Sequence, residues 1–273
     1  MKIRNLEIGA AQIPAIMGIL NVTPDSFSDG GLYIEPKKAI SHALRLVDDG
    51  ADIIDIGGES TRPGSSPISE DEEMARVIPV IEGVRSRSEI PISIDTSKSS
   101  VAKAAIEAGA DLINDISAGR FDPKIFELAV LHKKPICLMH MKGLPKNMQD
   151  NPHYDDLIFE IRSFLSETAS LTISKGVPSE LIILDPGIGF GKSADDNIAI
   201  LRSISSFKSL GFPLLVGTSN KSFISNKLGL GIKDRLEATL ATIPACVNGG
   251  VSIVRVHDVK GVRRFLNMYS LLQ

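Results

Sequence analysis

Cysteine is scarce, with two in 273 residues, which argues against a disulfide framework and for a reducing compartment. Cys137, in the run ICLMH, and Cys246, in a helical stretch, both read as small apolar core residues. An excess of either charge is also missing. Thirty Lys and Arg face 33 Asp and Glu, the net charge is −3, and no long basic run occurs. That balance gives no nucleic-acid or membrane surface. No apolar stretch approaches the ~18 residues of a membrane span. No charged-then-apolar segment marks a signal peptide, so the cytoplasm is the expected location.

What the chain does have is repetition. Eight times a short apolar run ends in a polar residue and a helical pattern follows. The runs are AIMGILN (closing on Asn21), DIIDIGG (around Asp55), ISID (Asp95), LIND (Asn114), ICLMH (His140), LIILD (Asp185), PLLVG (before Ser219 and Lys221) and VSIVRVH (Arg255 and His257). Buried parallel strands read as such near-continuous apolar runs. Eight strand–helix units predict a (β/α)8 TIM barrel, a single domain over residues 1–273, with chemistry at the C-terminal ends of the strands. The helices are expected at 36–49, 69–87, 98–108, 122–132, 154–175, 193–208, 221–228, 233–248 and 258–271. Residues 2–8 are expected to form a short strand or lid at the barrel floor.

Two loops exceed what a barrel needs, Thr23 to Gly31 and Gly57 to Pro67. Each carries a residue with work beyond turning, Phe27 and Arg62, and long loops in compact domains are usually functional. Lys221, Arg255 and His257 fall at the ends of the seventh and eighth strands, where barrel enzymes often hold phosphate. Arg255 and His257 alternate on one strand and so share a face, which leaves Val254 and Val256 to the helices. Asp95, Asn114 and Asp185 suit a flat heterocycle with an amide and amino edge. Asp55 and Asp115 are read as structural hydrogen-bonding groups, and His140 as a residue that orients a loop or packs near the rim. The stretch ending Gly191-Lys192-Ser193 imitates a phosphate-binding loop, but Pro186 stands where that motif needs glycine. No His/Cys spacing for a metal cluster is present. A diphosphate ligand would bring Mg²⁺ with it, and Asn21 at the first strand's mouth is the candidate ligand.

The segments GILNVTPDSFSDGG, DIGGESTRPGS, ISIDTSK, INDIS, LDPGIGFGK, KSFI and VRVHDV resemble the dihydropteroate synthase family, in the family's order and over nearly the whole chain. One departure is Asn220, where the family commonly has arginine. The resemblance implies a transferase of folate biosynthesis that is a sulfonamide target, requires Mg²⁺ and forms a homodimer through its later helices. It would join 6-hydroxymethyl-7,8-dihydropterin diphosphate to 4-aminobenzoate. Asp95, Asn114, Asp185, Lys221 and Arg255 would hold the pterin, with Asp95, Lys221 and Arg255 catalytic. Asn21, Thr61, Arg62, Arg255 and His257 would hold the diphosphate, Asn21 also meeting the metal. Phe27, Thr61, Arg62, Pro63, Phe190, Lys221 and Ser222 would form the aminobenzoate side. Two other readings share some of these residues. A pterin-dependent methyltransferase has no use for the anion set Lys221, Arg255 and His257. A non-catalytic pterin-binding protein has no need of Phe27, Thr61 and Arg62.

Overall fold

A computed structural model describes residues 1–9, 13–23, 34–61, 64–231 and 234–272. Phe27, Arg62 and Pro63 lie outside the described residues. Two short antiparallel strands come first, β1 (Lys2–Ile3) and β2 (Leu6–Glu7). Eight parallel strands then alternate with helices. The strands are β3 (Ala15–Asn21), β4 (Ile53–Gly57), β5 (Ile92–Asp95), β6 (Leu112–Asp115), β7 (Ile136–Met139), β8 (Ile182–Asp185), β9 (Leu215–Val216) and β10 (Ile253–Val256). The helices are α1 (Ile34–Asp48), α2 (Glu70–Arg85), α3 (Ser99–Ala108), α4 (Lys124–His132), α5 (Leu157–Ser174), α6 (Ala194–Arg202), α7 (Ile204–Lys208), α8 (Ser222–Leu228), α9 (Leu236–Asn248) and α10 (Val259–Ser270). The sheet runs β8-β7-β6-β5-β4-β3-β10-β9, and a parallel bridge from Leu184 to Leu214 closes it between β8 and β9. The result is a (β/α)8 barrel.

Alternation along each strand sorts the side chains into two shells. Outward residues such as Ile16, Ile54, Ile94, Val254 and Val256 are buried against the helices. Each such aliphatic residue contributes about 1.5–3 kcal/mol by leaving water. Inward residues stack in layers. The lower layer is apolar: Met17, Ile53, Leu112, Cys137, Ile183, Leu215 and Ile253 pack together, and Ile3 and Ile8 of the N-terminal hairpin plug it from below. That is the floor the sequence predicted for residues 2–8. One step up, β4, β5, β6, β8 and β10 present polar side chains instead, Asp55, Asp95, Asn114, Asp185 and Arg255.

The predicted helix 193–208 is two helices. Ser203 leaves the helical region (φ −112°, ψ 18°). The turn lets Ile204 and Phe207 of α7 bury, with Ile204 lying directly against Gly249. The start of α6 also explains the imitation phosphate loop. Ser193 accepts from the Asp196 amide at 3.1 Å and Asp196 accepts from the Ser193 amide at 2.8 Å, a reciprocal cap of a helix start.

Candidate active site

The polar layer is built from the strand ends. Asp55 on β4, Asp95 on β5, Asn114 on β6, Asp185 on β8 and Arg255 on β10 all point into the lumen. Arg255 is held from two sides. Its Nε donates to Asp55 at 2.6 Å and its Nη2 donates to Asp95 at 2.7 Å. Asn114 donates to the same Asp55 oxygen at 3.2 Å. Asp55 is therefore a lumen residue, not a loop tether as its sequence position suggested. Asp115 fits the expectation, accepting from the amides of Ser117 at 2.7 Å and Gly119 at 2.6 Å.

Burial pushes Asp95 up to about 7; Arg255 opposes that rise and Asp55 adds to it. Burial likewise raises Asp185 to about 6, against the pull of the Gly187 amide and Lys221. Burial works against the Arg255 charge, but Asp55 and Asp95 more than offset it, so the guanidinium stays protonated. Burial lowers Lys221 to about 8, with Arg255 adding to the drop and Asp185 and Asp95 resisting it. Asp55 Oδ1 is buried with no hydrogen-bond partner among the described residues. A buried acceptor left so is costly.

Above this layer a cavity of about 410 Å³ opens at the mouth, lined in part by Asn21, Thr61, Phe190, Lys221, Ser222, Arg255 and His257. It meets an inner chamber through Thr61, Phe190, Gly217, Lys221 and Arg255, and Asp95, Asn114 and Asp185 line that chamber. At about 20 Å³ the inner chamber has room for one water, so a bicyclic ring enters only as the chamber widens toward the outer cavity it adjoins. Lys221 Nζ sits 4.3 Å from the Phe190 ring centroid, a cation over an aromatic face. His257 Nδ1 lies 3.1 Å from Ser219 Oγ. Asn220 adopts the left-handed region (φ 57°), which asparagine tolerates better than most residues, and Arg235 donates to its carbonyl at 2.9 Å. Arg235 also lines the mouth, so a guanidinium stands beside the position where arginine was expected. Nothing in its sequence context marks Arg235 for that place.

The loop after β8 packs against the loop after β7 with no space between backbones. A Cβ on Gly187 would sit 1.9 Å from the His140 carbonyl oxygen, and one on Gly191 would sit 2.1 Å from that of Lys142. His140 is buried rather than at the rim, with its Nδ1 2.9 Å from Lys192 Nζ.

Comparison with known proteins agrees with this geometry. A model of the pterin binding enzyme family matches residues 17–257. The dihydropteroate synthase of Synechocystis sp. is 50% identical over 258 residues, 94% of this chain and 89% of that protein. The chain belongs to the dihydropteroate synthases, transferases among the pterin-binding enzymes. The solved Yersinia pestis dihydropteroate synthase, in complex with a sulfonamide drug, superimposes with a TM-score of 0.92 at 41% identity, over 100% of this chain and 98% of that one. The Xanthomonas albilineans dihydropteroate synthase with 4-aminobenzoic acid gives 0.90 at 40% identity, over 96% and 93%.

Proposed function

We propose that this chain condenses 6-hydroxymethyl-7,8-dihydropterin diphosphate with 4-aminobenzoate, releasing diphosphate and 7,8-dihydropteroate. The observation that carries the reading is the pairing of two chambers. An inner one is lined by Asp95, Asn114 and Asp185, and an outer one by Asn21 and His257, with Lys221 and Arg255 shared. The first suits a heterocycle rich in N–H groups, and the second suits an anion. In the reaction the C–O bond to diphosphate breaks, the aryl amine forms a C–N bond to the same carbon, and the amine proton passes to diphosphate or water. Asp185 and Asn114 hold the pterin edge. Asp95 faces the ring as positive charge develops on it, which is preorganised electrostatic stabilisation. Arg255, fixed by its two carboxylates, spans ring and diphosphate, and His257 meets the diphosphate. Phe190, Thr61, Lys221 and the Ser222 end of α8 receive the aminobenzoate. Phe27, Arg62 and Pro63 complete that side in this reading. Sulfonamides compete there.

Mg²⁺ fits the donors present. Among the described residues no group of three or more His, Cys, Asp or Glu forms a metal cage. Asn21 at the mouth offers a single amide oxygen, which suits an ion carried in by phosphate oxygens. When bound there, such an ion would supply positive charge to the diphosphate leaving group. Homodimerisation through the later helices is supported by the exposed Met268, Leu271 and Leu272 at the end of α10. A cytoplasmic location is supported by the two buried free thiols, and no helix among the described residues is long and apolar enough to cross a membrane. The test is direct. Folded protein given both substrates and Mg²⁺ should yield 7,8-dihydropteroate by mass spectrometry. Absence of product in the presence of both substrates would refute the reading.

A further inference from the structure

Lys192 has no part in the reaction above, yet it is among the largest fully buried side chains of the molecule. Its Nζ donates to the Phe190 carbonyl at 3.0 Å and to the His140 carbonyl at 3.3 Å, and lies 2.9 Å from His140 Nδ1. An ammonium has three protons, and here it has three acceptors. Burial and the Lys192 charge keep the His140 imidazole neutral, so Nδ1 is free to accept. All three partners are neutral. Burial lowers the Lys192 ammonium to about 7, with Asp185 resisting the drop, so the amine is held there against its own desolvation, and a methionine would fill the same space with less penalty.

The three bonds join two loops. His140 follows β7, and Phe190 lies in the glycine-rich turn after β8. From Phe190 the linkage runs into the site. The ring is buried among Ile116, Met139, Met141 and Met148, and its face carries Lys221. The stem of Lys221 lies on the same turn, its Cδ 3.1 Å from where a Cβ of Gly189 would be. The turn is thus a shelf under Lys221, and Lys192 fastens it from behind.

We propose that Lys192 is a positioning residue for the second substrate: by tying the β8–α6 turn to the end of β7 it fixes the Phe190 ring and the Lys221 ammonium where 4-aminobenzoate binds. The proposal rests on the assignment of Phe190 and Lys221 to that substrate. It makes Lys192 act more on the second substrate than on the first, because in that assignment Phe190 serves the aminobenzoate alone, whereas Lys221 and Asp185, which accepts from the Gly187 amide at 2.7 Å, also face the pterin.

Steady-state kinetics of the full-length Lys192→Met variant decide it, with far-UV circular dichroism as the check on folding. The KM for 4-aminobenzoate should rise about tenfold and that for the pterin diphosphate by no more than about threefold, since the displaced wall carries Phe190 and only part of the pterin side. Unchanged Michaelis constants with only a lower melting temperature would overturn the proposal, and so would a parallel rise in both. If Lys192→Met does not fold, His140→Phe replaces it, keeping a ring and removing the Nδ1 acceptor. A rise of about threefold in the aminobenzoate KM then supports the tie, and no change refutes it. Phe190→Ala is the control on the underlying assignment. If it too leaves the aminobenzoate KM unchanged, the site reading fails and takes the proposal with it. If Phe190→Ala raises the KM and the Lys192 and His140 variants do not, only the proposal fails.

Discussion

Arg255 shows how two carboxylates and one cation become a tool at the scale of single residues. Asp55 and Asp95 hold its guanidinium at 2.6 and 2.7 Å, so the charge is aimed before any ligand arrives. Asp55→Asn keeps the shape and removes one charged partner. Such a bond contributes about 1.5–3 kcal/mol, so kcat/KM for the pterin diphosphate should fall roughly tenfold to a hundredfold. Unchanged kinetics would return Asp55 to a purely structural role. Asp185→Asn should weaken a pterin analogue by a similar energy in calorimetric titration. Because burial raises Asp185 to about 6, its carboxylate is lost as pH falls through that value. Pterin affinity should therefore drop as the pH is lowered below about 6, and Asp185→Asn should flatten that limb of the profile. An identical limb in the variant would assign it to another group. Asp95, Asn114, Asp185 and Arg255 were legible because each closes an apolar run and alternation fixes its face. Asp55 was not, because both faces of β4 are buried and its run holds two aspartates, Asp52 and Asp55, that must face opposite ways. Lys192 was visible only as part of a motif that failed, and nothing in a sequence marks a lysine as buried.

Among the elements, the loop between β4 and α2 is anchored at both ends by one side chain. Lys98, just before α3, donates to Glu59 at 2.6 Å, to Glu73 at 2.6 Å and to the Ile68 carbonyl at 2.9 Å. Glu59 in turn accepts from the Ile68 amide at 2.9 Å. Thr61 sits between these anchor points. Removing Lys98 leaves Glu73, which is 1% exposed, as an unpaired buried carboxylate. Lys98→Met should cost about 3 kcal/mol in urea unfolding, the scale for breaking a buried pair from one side. The double variant with Glu73→Gln should recover part of that loss. A loss below about 1 kcal/mol in the single variant would mean the pair is solvated in practice. Element type and order were readable throughout, since helix periodicity and glycine stops are local signals. The break between α6 and α7 was not, because Ile204 turns to meet Gly249, a partner far along the chain.

At the scale of the molecule the barrel has a weak seam. β7 and β8 pair at four positions, Ile136–Ile182 through Met139–Asp185, whereas β8 meets β9 through the single bridge between Leu184 and Leu214. Stability is not uniform across a fold, and opening starts where backbone pairing is sparse. Hydrogen exchange should be faster at 214–216 than at 53–57, where β4 pairs fully with β3 and β5. Equal protection in the two segments would show that side-chain packing holds the seam. The eightfold count was plain in the sequence, but the shortness of β9 was not. PLLVG reads like any other strand, and only its place beside the closing edge limits its pairing.

The glycine turn beneath Lys221 bears on how such an enzyme could escape a drug. Resistance by substitution needs positions where a new side chain can be accommodated. At Gly187 and Gly191 the opposite backbone occupies that space, at 1.9 and 2.1 Å from any Cβ, and both residues hold positive φ. A variant there displaces the wall that the substrate also uses. An inhibitor drawing its affinity from the Phe190 shelf should select escape mutants elsewhere around the mouth, with positions 187 and 191 unchanged.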